Sequence, residues 1–304
     1  MNYTLNQLQV FFKVVELKSI TKAAEELFMT QPAVSIQLRN FQNQFEIPLT
    51  EVIGRKIRIT DFGYEIYKMT ERILNEVNAI NYKTQSYKGL LSGKLSIGVV
   101  STGKYVMPYL LADFIEKNKG IDLLMDVTNK TKVIGSLVNG EIDFALVSVL
   151  PEKIKVNEEV IIDNELYFVS NNKFISSGEN LSRKQMENEA MIYREEGSAT
   201  RKVMEDYFKK KKIKIKRRLE LTSNEAVKQA VIAGLGISIM PIIGIIPELN
   251  QKKLKLLPCT GLPIKTKWRL IWLKGRQLSP LSAAFLEFLQ ANKKSIIDNF
   301  LKNK

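Results

Sequence analysis

Residues 23–35 read AAEELFMTQPAVS, and this stretch decides the N-terminal fold. Ala23, Ala24 and Leu27 complete the apolar face of a short helix, and Thr30-Gln31-Pro32 then opens another. Thr30 carries the side chain of an N-cap, and Pro32 is tolerated in a first helical turn because the amide it lacks would be unpaired there. Two helices joined this tightly form a helix-turn-helix. Its first helix crosses the DNA backbone while the second offers its N-terminal side chains to the major groove.

Upstream, Thr4 followed by Gln7 makes a capping box, and Leu5, Leu8, Val10, Phe11, Val14, Val15 and Leu17 supply a helix-period apolar face. Ser19 and Thr21 end that helix and start the next. Downstream, the third helix is expected to run through Val34, Leu38, Phe41 and Phe45 towards Pro48. Residues 52–60 then read as a β-hairpin turning at Gly54-Arg55, with Arg55, Lys56 and Arg58 placed to meet phosphate or a minor groove. Standing alone, such a basic hairpin is a solvated turn; directly after a helix-turn-helix it reads as a wing.

From Asp61 to about Leu90 the pattern is one long helix. Phe62, Ile66, Met69, Ile73, Val77 and Ile80 recur at spacings of three and four, a narrow seam that one helix cannot bury on itself. Pairing with a second copy is expected, the alternative being packing on its own domain. Residues 88–93 read as a stop and hinge.

Beyond the hinge, strand and helix alternate: strand 95–100, helix 106–117, strand 122–127, helix 133–138, strand 142–149. That order implies a parallel sheet covered by helices on both faces. A second set follows, with strands near 165–170 and 190–193, helix 199–211, strand 213–221, helix 224–233 and strand 237–240. Strand 268–273 and helix 281–292 can return to the first set. The class is therefore α/β with an all-α head, and the α/β region is two-lobed with a cleft between the lobes.

The 304 residues allow two or three cores at roughly 100–200 residues per domain. A net charge of +14 favours anionic partners, although residues 1–91 carry only about +2 of it. One cysteine, Cys259, excludes an internal disulfide framework, and its surroundings suit a small partly buried residue rather than a redox sensor. The N-terminus lacks a secretory pattern and no run of about 18 apolar residues occurs, so a soluble cytoplasmic protein with no membrane partner is expected.

The chain contains no histidine. Imidazole acid–base chemistry, Ser-His-Asp and Cys-His nucleophiles, and the commonest transition-metal ligand are thereby removed. No paired-carboxylate motif or phosphate-cradling glycine loop stands out. An enzyme is not expected, nor any cofactor or metal.

For base reading, the opening of the third helix offers Gln31, Ala33, Ile36 and Gln37: an amide can bond adenine's major-groove edge in two places, and Ala or Ile can meet a thymine methyl. Thr30, Ser35 and Arg39 suit phosphate contacts, with Pro32 fixing how the helix enters. A helical Ser35 can instead bond its own backbone. Residues 209–218, KKKKIKIKRR, form the densest charge run and read as the solvated face of a helix end and a strand. Gly234 and Gly236 read as helix-stop and turn residues.

The head as a whole resembles the LysR-type transcriptional regulators, through LNQLQVFFKVVELKSITKAA, AAEELFMTQPAVS and RITDFGYEI. The later segments STGKYVMPYLLADF, VNGEIDFALV, REEGSATR and SNEAVKQAVIAGLGISIMP are similar to the effector domain of that family, most of all to its branch of carbon-fixation operon regulators. Phe45-Glu46 and Leu49-Thr50-Glu51-Val52 depart from the family's Leu-Gly and Leu-Phe-x-Arg, so the wing's entry is expected to be shaped differently.

The resemblance implies a winged helix-turn-helix over 1–60, a linker and dimerisation helix over 61–92, and an effector domain over 93–304 built like the periplasmic binding proteins. Its lobe I covers about 93–161 and 267–304, and lobe II about 162–266. The partners implied are promoter DNA, a small and anionic effector, RNA polymerase, and further copies of the chain as a homodimer assembling to a homotetramer. An effector between the lobes would meet Ser101, Thr102 and Ser148 from one side and Gly197, Ser198, Thr200, Thr222 and Ser223 from the other; the serines and threonines read equally as helix caps. A solute-binding receptor without gene regulation is the alternative reading.

Overall fold

The computed structural model describes residues 3–54, 56–86, 91–174 and 180–302. The chain divides into two compact units, Met1–Leu90 and Leu91–Lys304.

In the first unit each helix starts where a side chain can cap it. Thr4 and Gln7 close a reciprocal capping box on α1 (Leu5–Leu17), Ser19 caps α2 (Ile20–Glu26), and Thr30 caps α3 (Gln31–Gln42). Helix α3 ends before Phe45, earlier than expected, and the chain passes through Pro48 into β1 (Thr50–Ile53) and β2 (Lys56–Ile59). These strands pair Ile53 with Lys56 around a two-residue turn, where Gly54 takes φ +56°. Val10, Phe11, Val14, Ala23, Val34, Leu38, Phe41 and Leu49 build the core.

Thr60 joins the wing to α4 (Asp61–Ser86): its hydroxyl donates to the Pro48 carbonyl at 2.7 Å and accepts the Gly63 amide at 2.9 Å. A Cβ on Gly63 would lie 2.0 Å from the Leu49 carbonyl oxygen, so only glycine lets α4 start this close. The expected end of α4 near Leu90 lies outside the described residues. Phe62 stacks edge-on to Phe45, and Ile66 also packs on the head core. Val77 is half-buried, and Met69, Ile73 and Ile80 are exposed.

The second unit is built on one seven-stranded sheet in the order β10 (Leu254–Leu257), β6 (Val156–Asn171), β11 (Ile264–Leu273), β5 (Phe144–Val147), β3 (Ser92–Val100) and β4 (Gly120–Thr128), with β9 (Ser238–Pro241) also pairing β6. Strand β3 (Ser92–Val100) is parallel to β4 (Gly120–Thr128) and β5 (Phe144–Val147). A 3-10 turn over Ser101–Tyr105 follows β3, and α5 (Met107–Lys117) begins within a residue of the expected 106. Helix α6 (Lys130–Asn139) leads from β4 to β5. A wholly parallel sheet is not what forms. Strand β6 (Val156–Asn171) leaves the first lobe for the second and β11 (Ile264–Leu273) returns, so the two run antiparallel, and β11 is antiparallel to β5 as well.

The first half of β6, VNEEVIIDNE, lacks a clean alternation of apolar and polar residues. It is held by ion pairs from partners distant in sequence: Arg269 to Glu158 at 3.0 Å, Lys265 to Glu165 at 3.4 Å, and Lys293 to Glu159. Opposite Ile161 the β6–β11 register shifts between Trp268 and Arg269, a bulge set among the first lobe's core residues.

On the far side lie α7 (Arg183–Asn188), β7 (Ala190–Arg194), α8 (Ala199–Lys210), β8 (Arg217–Leu221), α9 (Asn224–Ile232) and β9 (Ser238–Pro241), then α10 (Ile246–Asn250) and β10 (Leu254–Leu257). Strand β8 is shorter than expected and parallel to β7. Helix α11 (Pro280–Lys302) closes the chain against α5. The first lobe buries Trp268, Phe144, Phe285 and Leu110 fully, each large side chain worth roughly 1.5–3 kcal/mol. The second buries Phe168, Met191, Met204, Tyr207 and Phe208 around Ile237 and Ile239.

Candidate functional site

Two surfaces carry chemistry. The first is the opening of α3. Val34, Leu38 and Phe41 face the core; on the outside Thr30, Gln31, Pro32, Ile36 and Arg39 are exposed, with Ala33, Ser35 and Gln37 half-buried beside them. Thr30 spends its hydroxyl on the Ala33 amide at 3.4 Å, and Gln31 donates its side-chain amide to Ser35 at 3.3 Å. The helix therefore presents hydrogen-bonding groups already oriented by local bonds, next to an exposed methyl-bearing Ile36. On the wing, Arg58 is exposed directly across from Glu51. Arg55 and the side chain of Lys56 lie outside the described residues.

No pattern in the sequence singles out Phe28. It occupies the turn between α2 and α3 at φ +53° and is 98% exposed. A bulky side chain in the left-handed region is a strained arrangement. The turn thus presents an aromatic ring beside the start of α3.

The second surface is a cavity of about 620 Å³ between the start of α6, residues 151–154 and the start of α8. The two lobes meet at its edge, where the Thr131 amide donates to the Gly197 carbonyl at 3.3 Å. Gly197 has φ +83°, and a Cβ there would fall 2.6 Å from the Thr131 hydroxyl. A side chain there would crowd that of Thr131, so this contact would have to shift.

Ser198 is the N-cap residue of α8, is buried, and makes no capping bond with its side chain. The contrast with Ser223 is plain, since that hydroxyl accepts the Ala226 amide at 3.0 Å and caps α9. The start of α8 therefore brings amides and the positive end of a helix dipole to the cavity wall. Lys130, Lys153, Arg201 and Lys202 add positive charge against Glu152, Glu196 and Glu205. Arg201 is committed to Glu205 at 2.8 Å and Glu220 at 2.7 Å, whereas Lys202 reaches Glu152 only at 3.7 Å. The Lys130 ammonium donates to the Leu150 carbonyl at 2.9 Å, and burial holds its pKa below the ordinary lysine value, with Glu152 opposing that shift and Lys202 adding to it.

Of the eight residues expected around an effector, Gly197 and Ser198 line this cavity. Thr102 is buried, its methyl 3.4 Å from where a Cβ on Gly244 would stand. Ser101, Ser148 and Thr200 are half-buried, Thr222 is exposed and Ser223 is half-buried in its cap. Sequence reasoning does not reach Lys130, Thr131 and Lys202, which also line the cavity. A signal for them exists at Asn129, a cap residue directly after a strand that accepts the Lys132 amide at 3.0 Å, the same strand-to-helix arrangement that points to Ser101.

A head that presents an exposed helix opening, together with a two-lobed α/β unit holding a cavity lined by charged groups of both signs, defines a DNA-binding protein with a ligand-responsive second unit. Comparison with known proteins gives the family. The description "Bacterial regulatory helix-turn-helix protein, lysR family" matches residues 5–64, and "LysR substrate binding domain" matches residues 88–294. A RuBisCO operon transcriptional regulator of Allochromatium vinosum is 36% identical over 290 residues, 95% of this chain and 96% of that one. The HTH-type transcriptional activator CmpR of Synechocystis is 33% identical over 97% of both chains.

Among solved structures, the Synechocystis CcmR regulatory domain in complex with 2-PG is 36% identical, with a TM-score of 0.63 over 67% of this chain and 98% of that one. Full-length CbnR complexed with its target DNA has the same fold, with a TM-score of 0.70 at 20% identity over 95% of this chain and 99% of that one. The chain belongs to the LysR family of bacterial transcriptional regulators. It is a DNA-binding regulator with an effector domain and not an enzyme, which sets aside the receptor alternative. Among the described residues no helix is long and apolar enough to cross a membrane.

Proposed function

We propose that this regulator senses a small anionic metabolite between the lobes of residues 93–304 and thereby adjusts its hold on an interrupted palindrome in promoter DNA. The observation that carries the reading is the cavity wall at α8, where a buried Ser198 leaves its hydroxyl uncommitted at a helix start flanked by Lys130 and Lys202. An anion there gains from oriented amides and from charge. The 2-PG bound by the regulatory domain of Synechocystis CcmR supports the same ligand class.

Gly197 and Ser198 are the first contacts, and Ser101, Thr102, Ser148, Thr200, Thr222 and Ser223 complete the proposed set. In the head, Gln31, Ala33, Ile36 and Gln37 read bases, while Thr30, Pro32, Ser35, Arg39, Arg55, Lys56 and Arg58 set register on the backbone. Residues 61–92 pair two copies through Phe62, Ile66, Met69, Ile73, Val77 and Ile80, and two such dimers form a tetramer that meets RNA polymerase in the cytoplasm.

Calorimetry of the full chain with 2-PG, other organic acids and sugar phosphates tests the effector assignment. Ser198→Ala and Thr102→Val should each weaken the ligand by roughly 1.5–3 kcal/mol, the range for a hydrogen bond to a charged group, and leave ligand-free DNA affinity unchanged. A ligand indifferent to both substitutions binds elsewhere, and silence from the whole panel refutes the ligand class.

A further inference from the structure

The greatest concentration of charge lies outside both surfaces described above. Residues 209–218, KKKKIKIKRR, hold eight cations and no carboxylate, and all eight are exposed. Lys209 and Lys210 end α8, Lys212 turns the chain at φ +54°, and Arg217 and Arg218 open β8, which among the described residues pairs only with β7. Ile213 and Ile215 pack on the second lobe's core, so Lys212, Lys214 and Lys216 alternate outward between them. The Arg183 guanidinium donates to the Lys212 carbonyl at 2.7 Å and is itself paired with Glu187 at 2.8 Å, so it fastens the turn without adding net charge to the rim.

Structural needs account for only some of the run. The negative end of the α8 dipole explains Lys209 and Lys210. Arg218 pairs with Glu205 at 3.1 Å and lies over the Tyr193 ring at 4.3 Å, and Lys216 donates to Asn188 at 2.9 Å. Among the described residues, the side chains of Lys209, Lys210, Lys212, Lys214 and Arg217 have no ion pair or hydrogen bond. So many like charges repel one another unless something anionic is brought to them.

We propose that this polybasic rim of the second lobe docks the phosphate backbone of duplex DNA independently of sequence, adding grip to a head whose own stretch, residues 1–91, carries only about +2 of the net +14. Phosphate contact needs cations and no apolar anchor, and the rim's two isoleucines point inward; the core of a protein interface would need aromatic or aliphatic side chains on the surface.

The test is the salt dependence of binding by the full chain, measured on the intergenic DNA upstream of its own gene and on random duplex of equal length. One variant carries Lys209→Gln, Lys210→Gln, Lys212→Gln and Lys214→Gln. A control carries Lys119→Gln, Lys253→Gln, Lys274→Gln and Lys302→Gln, which removes the same charge from scattered exposed positions. Removing one phosphate-binding cation lowers the slope of log affinity against log salt by about 0.9. The slope of the rim variant should be shallower by about 2 to 4 on both duplexes, and the control should stay near the parent. A rim slope that falls no further than the control's overturns the proposal. If that same variant then fails to activate transcription with purified RNA polymerase while the control succeeds, the rim serves an acidic protein surface instead.

Discussion

Gln31 meets its DNA target from a bonded starting point, because in the free chain its amide already donates to Ser35. Reading adenine exchanges that bond for two on the base edge, so the net gain appears as discrimination rather than raw affinity. Gln31→Ala should lose on the order of 1–3 kcal/mol at one base position and relax preference there, whereas Arg39→Ala should weaken every sequence alike and flatten the salt slope. Competition binding across a panel of single-base operator variants checks both; equal losses on specific and random DNA would refute the division of labour. Lys130 gives a second prediction at this scale. Burial depresses its pKa below the ordinary lysine value, and a bound anion would draw it up again, so binding takes up protons only at pH values where the free lysine is partly deprotonated. Anion affinity should therefore be highest near neutral pH and fall as pH rises through the depressed Lys130 value, below 10.5. Calorimetry from neutral pH upward should show that fall in the parent and a flat profile in Lys130→Gln.

At the scale of elements, the capping residues determine where helices start, and α4 illustrates what they leave open. Its apolar stripe repeats with one period from Phe62 to Ile80, yet the first turns lie on the head's own core while Met69 and Ile73 are exposed. Ile73 is 42% exposed in the single chain. If it packs between two copies, Ile73→Asp places a charge in the seam at a cost of several kcal/mol unless the helices separate. Sedimentation of residues 1–90 should give a dimer for the parent and a monomer for the variant; a monomeric parent at micromolar concentration would remove α4 from the assembly.

For the whole molecule, the consequence of a ligand-responsive DNA-binding chain is reciprocity. An effector shifts the DNA equilibrium only through unequal affinity for two arrangements of the assembly, and the coupling must appear equally from both sides. Whatever factor the anion applies to operator affinity, saturating operator DNA should apply to anion affinity. Gel-shift titrations with and without anion, set against calorimetry with and without DNA, measure the two factors. Unequal factors would mean that the two readouts report different sites. The expected span of this coupling is roughly 5- to 150-fold.

The sequence by itself determined the features governed by local chemistry. Thr4, Ser19 and Thr30 cap helices where their side chains reach a nearby amide, Gly54 turns the wing, and the missing histidines close off imidazole catalysis before any fold is known. Only the tertiary structure decided which hydroxyl stays uncommitted at a helix start. Ser198 and Ser223 both precede helices, but only Ser198 lies on the cavity, because α8 is brought opposite α6 by the Thr131–Gly197 contact. The mixed sheet has the same origin. The direction of β6 against β11 follows from the chain leaving one lobe and returning to it, and the ion pairs that hold the charged half of β6 join residues about a hundred or more positions apart. Local propensity reaches a few residues along the chain, whereas pairing of that kind exists only once the lobes have folded together.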